Sequence, residues 1–139
     1  MNTSEFETTW APRTLSVLRI VTALLFLAHG TQKLLGFPAS AGMPDPFTMG
    51  WIAGVLELFG GALLVLGLFT RPAAFVLSGQ MAAAYFIAHA PQSFYPALNG
   101  GDAAILFCFV FLYLVFAGPG PWSVDATRGG KSGTISAGA

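Results

Sequence analysis

One apolar stretch of the chain carries polar side chains at regular helical spacing. It reads RIVTALLFLAHGTQKLLG and covers residues 19–36. Steps of three and four residues place five of its side chains on one face of a helix. These five are Arg19, Thr22, Phe26, His29 and Lys33. The stripe supplies hydrogen-bond donors and a titratable imidazole, which are groups that can pair with a buried carboxylate or hold a polar ligand.

The next apolar stretch, WIAGVLELFGGALLVLGLF, offers a carboxylate for this stripe. It contains a single charged residue, Glu57, and glycines that share its helical face. These glycines are Gly50, Gly54 and Gly61, and they predict close packing against another helix because small residues let backbones approach. An unpaired carboxylate there would be destabilising, so we expect Glu57 to pair with a basic residue of the stripe. The candidates are His29, Lys33 and Arg19. The pair could hold two helices together or belong to a functional site.

Other polar side chains fall in the same half of the apolar segments. Gln80 lies near the middle of the third segment, His89 ends that segment, and Asp102 opens the fourth. Together with His29, Lys33 and Glu57 they predict a small polar cavity in the outer half of a helix bundle. We also place Arg19 among the residues of this pocket.

Several of these residues have ordinary structural explanations as well. Lys33 and Arg19 could extend to lipid headgroups. A lone buried histidine such as His29 is often a hydrogen-bonded core residue. Asp102 stands where an aspartate caps a helix N-terminus.

Composition places the chain in a membrane. Charged residues make up 9% of the 139 residues, hydrophobic residues make up 55%, and the mean hydropathy is +0.70. A soluble domain of this size could not bury so much apolar surface. Four apolar segments lie between breaks rich in proline and glycine, and they lack the alternation of strands. They predict an all-α membrane protein, a bundle of four transmembrane helices over about residues 15–35, 49–69, 72–90 and 102–117.

Basic residues predict the orientation of these four spans. An even number of spans places both termini on one side, and five of the six basic residues fall there. They are Arg13, Arg19, Arg71, Arg128 and Lys131. The positive-inside rule therefore predicts a multi-pass plasma (inner) membrane protein with both termini in the cytoplasm. We expect a cytoplasmic N-terminal segment over 1–14, a transmembrane domain over 15–122 and a flexible cytoplasmic tail over 123–139.

Some functions have no support in the sequence. The net charge is zero without a basic run, so nothing predicts nucleic-acid binding. Two histidines and few carboxylates do not predict a metal site. Cys108 is the only cysteine, so it cannot form an internal disulfide or a CxxC redox pair.

Four stretches give the chain a familiar pattern: LRIVTALLFLAHGTQKLLGF, WIAGVLELFGGALLVLGLFTRPAA, NGGDAAILF and GPGPWSVD. In this order they resemble the DoxX family of small bacterial and archaeal membrane proteins. The resemblance implies a four-helix plasma-membrane protein associated with a quinone- or thiol-linked redox system. The positions that match the family's polar residues are Arg19, His29, Lys33, Glu57, Arg71 and Asp102.

Three functions compete at this point. The first is a subunit of a membrane oxidoreductase complex that binds a quinone, with His29 and Lys33 as donors. Phe26, Phe59 and Tyr85 would form the walls of that pocket. The chain has no haem motif or thiol pair, so this function needs a redox partner protein that carries a cofactor. The second is a non-enzymatic anchoring or assembly subunit in the lipid bilayer. The third is a small-solute transporter, which would need to form a homo-oligomer.

Overall fold

The computed structural model describes residues 2–39 and 42–131. These residues form helices and connecting turns and contain no β-strand, so the prediction of an all-α fold is confirmed for this part of the chain. α1 is continuous over Thr3–Leu35, α2 covers Met49–Leu66 and α3 covers Thr70–Ala84. A π-helical stretch, Tyr85–His89, continues α3. The short α4 covers Pro96–Asn99, α5 covers Asp102–Ala117 and α6 covers Val124–Lys131.

The ends of the long helices follow from local sequence. Gly36 and Gly67 end α1 and α2 in the left-handed conformation, each with φ of 66°, which glycine adopts without steric cost. The Thr48 hydroxyl caps the start of α2 by accepting a hydrogen bond from the Trp51 amide. Near the start of α1, the π-helical stretch Phe6–Trp10 ends just before Pro12, which has no amide hydrogen to continue the regular ladder.

The four long helices are α1, α2, α3 and α5. They run alternately up and down and pack as two pairs. α1 packs along α2, and α3 packs along α5, while α2 and α3 join the pairs. Phe26 of α1 lies at the centre, with its ring 4.9 Å from that of Phe111 on α5. Leu64, Leu77 and Leu114 are the largest fully buried aliphatic side chains of the described residues. This arrangement brings Lys33 of the α1 stripe against Glu57 on α2, and Phe26 and His29 against aromatic rings of α5.

The outward surface of the bundle is strongly apolar. Side chains such as Phe75, Phe86 and Phe109 are 63–70% exposed. Two of the described helices, Thr3–Leu35 and Met49–Leu66, are long and apolar enough to cross a membrane, while Asp102–Ala117 is apolar but shorter.

Both ends of the described chain contain helical residues that the sequence does not single out. Within the segment 1–14, α1 already begins at Thr3. Within the tail over 123–139, Val124–Lys131 is helical. The cytoplasmic location of both segments stays a prediction. Contacts with distant residues hold the start of α6, as shown below. Residues 132–139 lie outside the described part.

Candidate functional site

A buried ion pair joins α1 to α2. Lys33 Nζ donates to Glu57 Oε1 over 2.6 Å, and the side chain of Glu57 is 3% exposed while that of Lys33 is 35% exposed. Gln80 Nε2 on α3 lies 3.4 Å from the same carboxylate oxygen and 3.3 Å from the carbonyl oxygen of Ala53. The partner of Glu57 is therefore Lys33, one of the three candidates that the sequence allows. Gln80 links α3 to this pair.

The pair leaves two acceptor atoms free inside the bundle. Within the described residues, Glu57 Oε2 and Gln80 Oε1 are buried and have no hydrogen-bond partner. A buried acceptor without a donor is costly. These two atoms therefore mark a place where a donor from outside the chain would be stabilised.

A cavity of about 300 Å³ lies beside the ion pair, between α1, α2, α3 and α5. We call it the polar cavity. Its walls include Phe26, His29, Lys33, Glu57, His89 and Phe107. Four polar or charged side chains thus line one space whose remaining surface is aromatic or aliphatic, an arrangement typical of sites for small ring-containing ligands.

The two histidines of the polar cavity differ in their surroundings. His29 is exposed, its ring lies 6.1 Å edge-on from that of Phe107, and no hydrogen bond within the described residues engages it. His89 Nδ1 donates to the carbonyl oxygen of Asn99 over 2.9 Å, because a carbonyl can only accept. In neutral His89 the other ring nitrogen is then an acceptor. His29 keeps both ring nitrogens available to a ligand.

Five residues that the sequence places in the pocket or its walls do not line the polar cavity. Gln80 contacts Glu57 from α3 without lining the cavity. Arg19 lies toward the other end of α1. Asp102 is exposed as the first residue of α5. Phe59 is 65% exposed on the outer side of α2. Tyr85 stacks on His89 at 6.4 Å between ring centroids, so it supports a lining residue. Helical spacing predicts on which face of a helix a side chain lies. Its height along the bundle and its contact partner depend on how the helices pack.

Arg19 binds three backbone carbonyls that no motif on α1 predicts. Its side chain is fully buried; Nε donates to Leu64 over 2.9 Å and Nη2 donates to Trp122 over 2.6 Å. Nη1 donates to the carbonyl of Pro119. Arg19 therefore fastens the GPGPWSVD segment to the middle of α1 and to the end of α2.

A second contact fastens this segment to α3. The carboxylate of Asp125 accepts from the amides of Phe69 and Thr70 over 3.0 and 2.9 Å, and so caps the start of α3. Partial burial alone would raise the pKa of the Asp125 carboxyl, but these amides, with Arg128 nearby, hold that pKa below its usual range. Arg71 caps the end of α5 by donating to the carbonyls of Val115 and Phe116 over 2.6 and 2.8 Å. We call this end of the bundle, with Arg19, Arg71 and Asp125, the basic end.

Glycines set the spacing of α1 and α2. A Cβ on Gly54 would lie 3.1 Å from Lys33 and Leu34, and one on Gly61 would lie 3.1 Å from Leu27. Both therefore face α1, whereas Gly50 faces Pro44 in the preceding loop.

The closest approach of these helices involves Gly30, which the sequence does not single out. A Cβ there would lie 2.5 Å from the backbone nitrogen of Leu58. The sequence also gives no weight to Asn99, which is 4% exposed, donates to the Ser93 carbonyl and accepts from the Gly101 amide. The NGG turn was the available signal for Asn99, because an asparagine before glycines often binds its own backbone.

Comparisons with known proteins agree with this architecture. The DoxX family model matches residues 14–90, more than half of the chain. An uncharacterized protein of Haemophilus influenzae is 46% identical over 84% of this chain and 91% of its own length. The Inner membrane protein YphA of Escherichia coli is 31% identical over 82% of this chain and 89% of its own. CatD of Bacillus subtilis, whose name gives it a provisional oxidoreductase role, is 26% identical over 87% of this chain and 92% of its own.

No solved structure matches the chain. The family match spans the polar stripe of α1, all of α2 with Glu57, and α3. These helices contain the ion pair and most residues that line the polar cavity. The resemblance that the sequence motifs indicate is therefore confirmed, and this chain belongs to the DoxX family of membrane proteins.

Proposed function

We propose that the protein is a four-span membrane subunit that binds a small quinone-like ring in the polar cavity. The four spans would be α1, α2, α3 with its π-helical continuation, and α5. The argument for the two shorter spans is the alternating up-and-down packing, which places them beside the two long apolar helices. The basic end would face the cytoplasm, because most lysines and arginines are found on that side of membrane proteins.

One observation carries the proposal for the ligand. Glu57 is buried, its Oε1 is paired with Lys33, and its Oε2 lacks a partner among the described residues while the side chain lines the polar cavity. A group that only held two helices together would be more stable with both oxygens satisfied. A bound ligand with a hydroxyl donor would supply the missing hydrogen bond.

The polar groups of the cavity suit both forms of a quinone-type ring. Carbonyl oxygens of the oxidised ring could accept from Lys33 and from His29. Hydroxyl groups of the reduced ring could donate to Glu57 Oε2 and to the acceptor nitrogen of His89. Phe26 and Phe107 offer aromatic walls for the ring, with their centroids 5.2 Å apart.

The protein would act with a redox partner protein, because its own side chains include no electron carrier in the described part. The provisional oxidoreductase role in the name of CatD supports a link to redox chemistry. A homo-oligomer is compatible with the apolar outer surface, but no particular face of the bundle argues for it.

The second candidate is a non-enzymatic anchoring subunit in which the ion pair is purely structural. The tight packing of Gly54 against Lys33 favours it, since Lys33 is itself part of the α1–α2 contact.

Ligand binding separates the two candidates. The full-length protein would be extracted with its native lipids, and bound small molecules would be identified by mass spectrometry. Anaerobic titration with a benzohydroquinone, whose hydroxyl groups can donate to Glu57 Oε2, would then compare the parent protein with Glu57→Gln and with Glu7→Gln. Glu7 is exposed near the start of α1 and serves as the matched control. Weaker binding by Glu57→Gln alone supports a ligand site. If none of the three proteins shows saturable binding, the ligand site is refuted and the anchoring subunit is the function that the structure supports.

A further inference from the structure

A long apolar groove lies on the outer side of the bundle between α2 and α3. Its volume is about 560 Å³. We call it the lipid groove, and its walls include Ile52, Leu56, Val76, Gly79, Ala83 and Ile87. Among the described residues, Lys33 and Gln80 are its only polar or charged lining residues, and both contact Glu57.

The lipid groove and the polar cavity are neighbours that share a wall. Lys33, Ala53, Ala84 and Ala88 line both spaces. Three of these four are alanines, so little side-chain bulk separates the groove from the cavity. The unpartnered Glu57 Oε2 and Gln80 Oε1 belong to side chains that line the cavity and the groove, respectively. A single ligand could therefore meet polar groups at one end and an apolar channel at the other.

The lipid groove opens toward the surroundings of the bundle. Ile52, Val76 and Ile87 along its edges are 48–56% exposed. Gly79, an exposed lining residue, leaves open space in the groove, because a Cβ there would have no neighbouring atom within 4 Å. In a membrane this opening faces hydrocarbon, so a chain that lies in it would pass directly into the bilayer.

We propose that the lipid groove holds the hydrocarbon chain of the ligand whose ring occupies the polar cavity. The substrate class is then a lipophilic ring with an alkyl tail, which arrives from the bilayer between α2 and α3. This inference rests on the proposed function, because the ring site must exist for the chain to extend from it. A water-soluble ring would make no use of the groove.

The test uses two probes that differ only in the chain. One is a benzoquinone without an alkyl chain, and the other is the same ring with a decyl chain. Both are titrated against the full-length protein in lipid nanodiscs, with intrinsic tryptophan fluorescence as the readout and concentrations expressed per lipid. Gly79→Phe fills the groove from a position that lines the groove but not the polar cavity. Gly79→Ala is the matched control, since it adds only a methyl group to the same open space.

Gly79→Phe should weaken binding of the decyl probe by about tenfold, because the added ring takes up space that part of the decyl chain would occupy. It should leave binding of the chainless probe unchanged, and Gly79→Ala should bind both probes like the parent. Equal binding of the decyl probe by Gly79→Phe and Gly79→Ala would overturn the role of the groove and leave the proposed function intact. Failure of both probes to bind the parent would overturn the proposed function and this inference with it.

The decyl probe must also be distinguished from bulk phospholipid in the same groove. A photoreactive group on the decyl chain should label groove residues such as Val76 and Ile87, and excess unlabelled decyl probe should suppress that labelling. If a photoreactive phospholipid labels the same residues and the decyl probe does not displace it, the groove is an ordinary lipid site and the inference is wrong.

Discussion

Removing either partner of the Lys33–Glu57 pair should destabilise the bundle, but by unequal amounts. Lys33→Met leaves the carboxylate of Glu57 buried at 3% exposure with only the amide of Gln80 nearby, so we expect a loss of about 3–5 kcal/mol. Glu57→Gln leaves the ammonium of Lys33, which is 35% exposed and can return to polar surroundings. This second change should cost about 1.5–3 kcal/mol, the range for a hydrogen bond with a charged partner.

The assay is thermal unfolding of the purified variants in one detergent, followed by tryptophan fluorescence. For a chain of this length each kcal/mol corresponds to a Tm shift of about 3–6 °C. The double variant Lys33→Met/Glu57→Gln should lose less than the sum of the single changes, because neither charge remains unpaired. His29→Gln is the matched control on α1, since no hydrogen bond joins His29 to Glu57 in the described residues.

Two results would refute this reasoning. Equal losses for the two single variants would mean that the exposure difference does not govern the cost. Additive losses in the double variant would mean that the two side chains do not interact in the folded protein.

Three further predictions concern packing, acid stability and topology. Gly30→Ala should lower the stability of the α1–α2 pair by about 1–3 kcal/mol, because its Cβ would overlap the backbone of Leu58, whereas Gly79→Ala should melt at or slightly above the parent Tm. The lowered pKa of Asp125 stabilises the fold above about pH 4, and this contribution is lost as the pH falls through the lowered value. Melting of Asp125→Asn between about pH 3 and pH 7 should therefore show a smaller acid-induced decrease than the parent, and an identical decrease would contradict the capping role. A reporter fused to the C terminus should be active only if it functions in the cytoplasm, and activity of a periplasmic reporter there would reverse the proposed orientation.

The sequence predicts the helices and one half of the site because both depend on local patterns. Apolar runs, the left-handed Gly36 and Gly67, and the prolines after α5 define the long helices. The shared face of Lys33 and His29 on α1, and the position of Glu57 in a glycine seam, are enough to expect a pair between α1 and α2. The structure selects Lys33 from the candidates through a 2.6 Å contact.

The remainder depends on contacts that spacing cannot encode. Arg19 shares the helical face of Lys33, yet it binds backbone carbonyls. Every residue has a backbone carbonyl, so the residue types in the sequence do not show which carbonyls Arg19 binds. Asp125 caps a helix that begins more than fifty residues earlier in the chain. Nothing in the sequence around Gly30 distinguishes it from other small residues of an apolar helix. Its importance follows from the backbone of Leu58, which packs against it in the structure.

The hydrogen bonds of Arg19 also affect how the chain is made. Two of its three carbonyl partners lie 100 and 103 residues further along the sequence. At about 5–20 residues per second, the ribosome needs roughly 5–20 s to reach them after Arg19 has been synthesised. During that interval the first helix, a candidate membrane span, has a guanidinium that lacks two of its three acceptors. A chain that stops before Pro119 would keep this defect permanently, so we expect cells to degrade the truncated product faster than the full-length protein. Pulse-chase half-lives of the two chains would measure the difference.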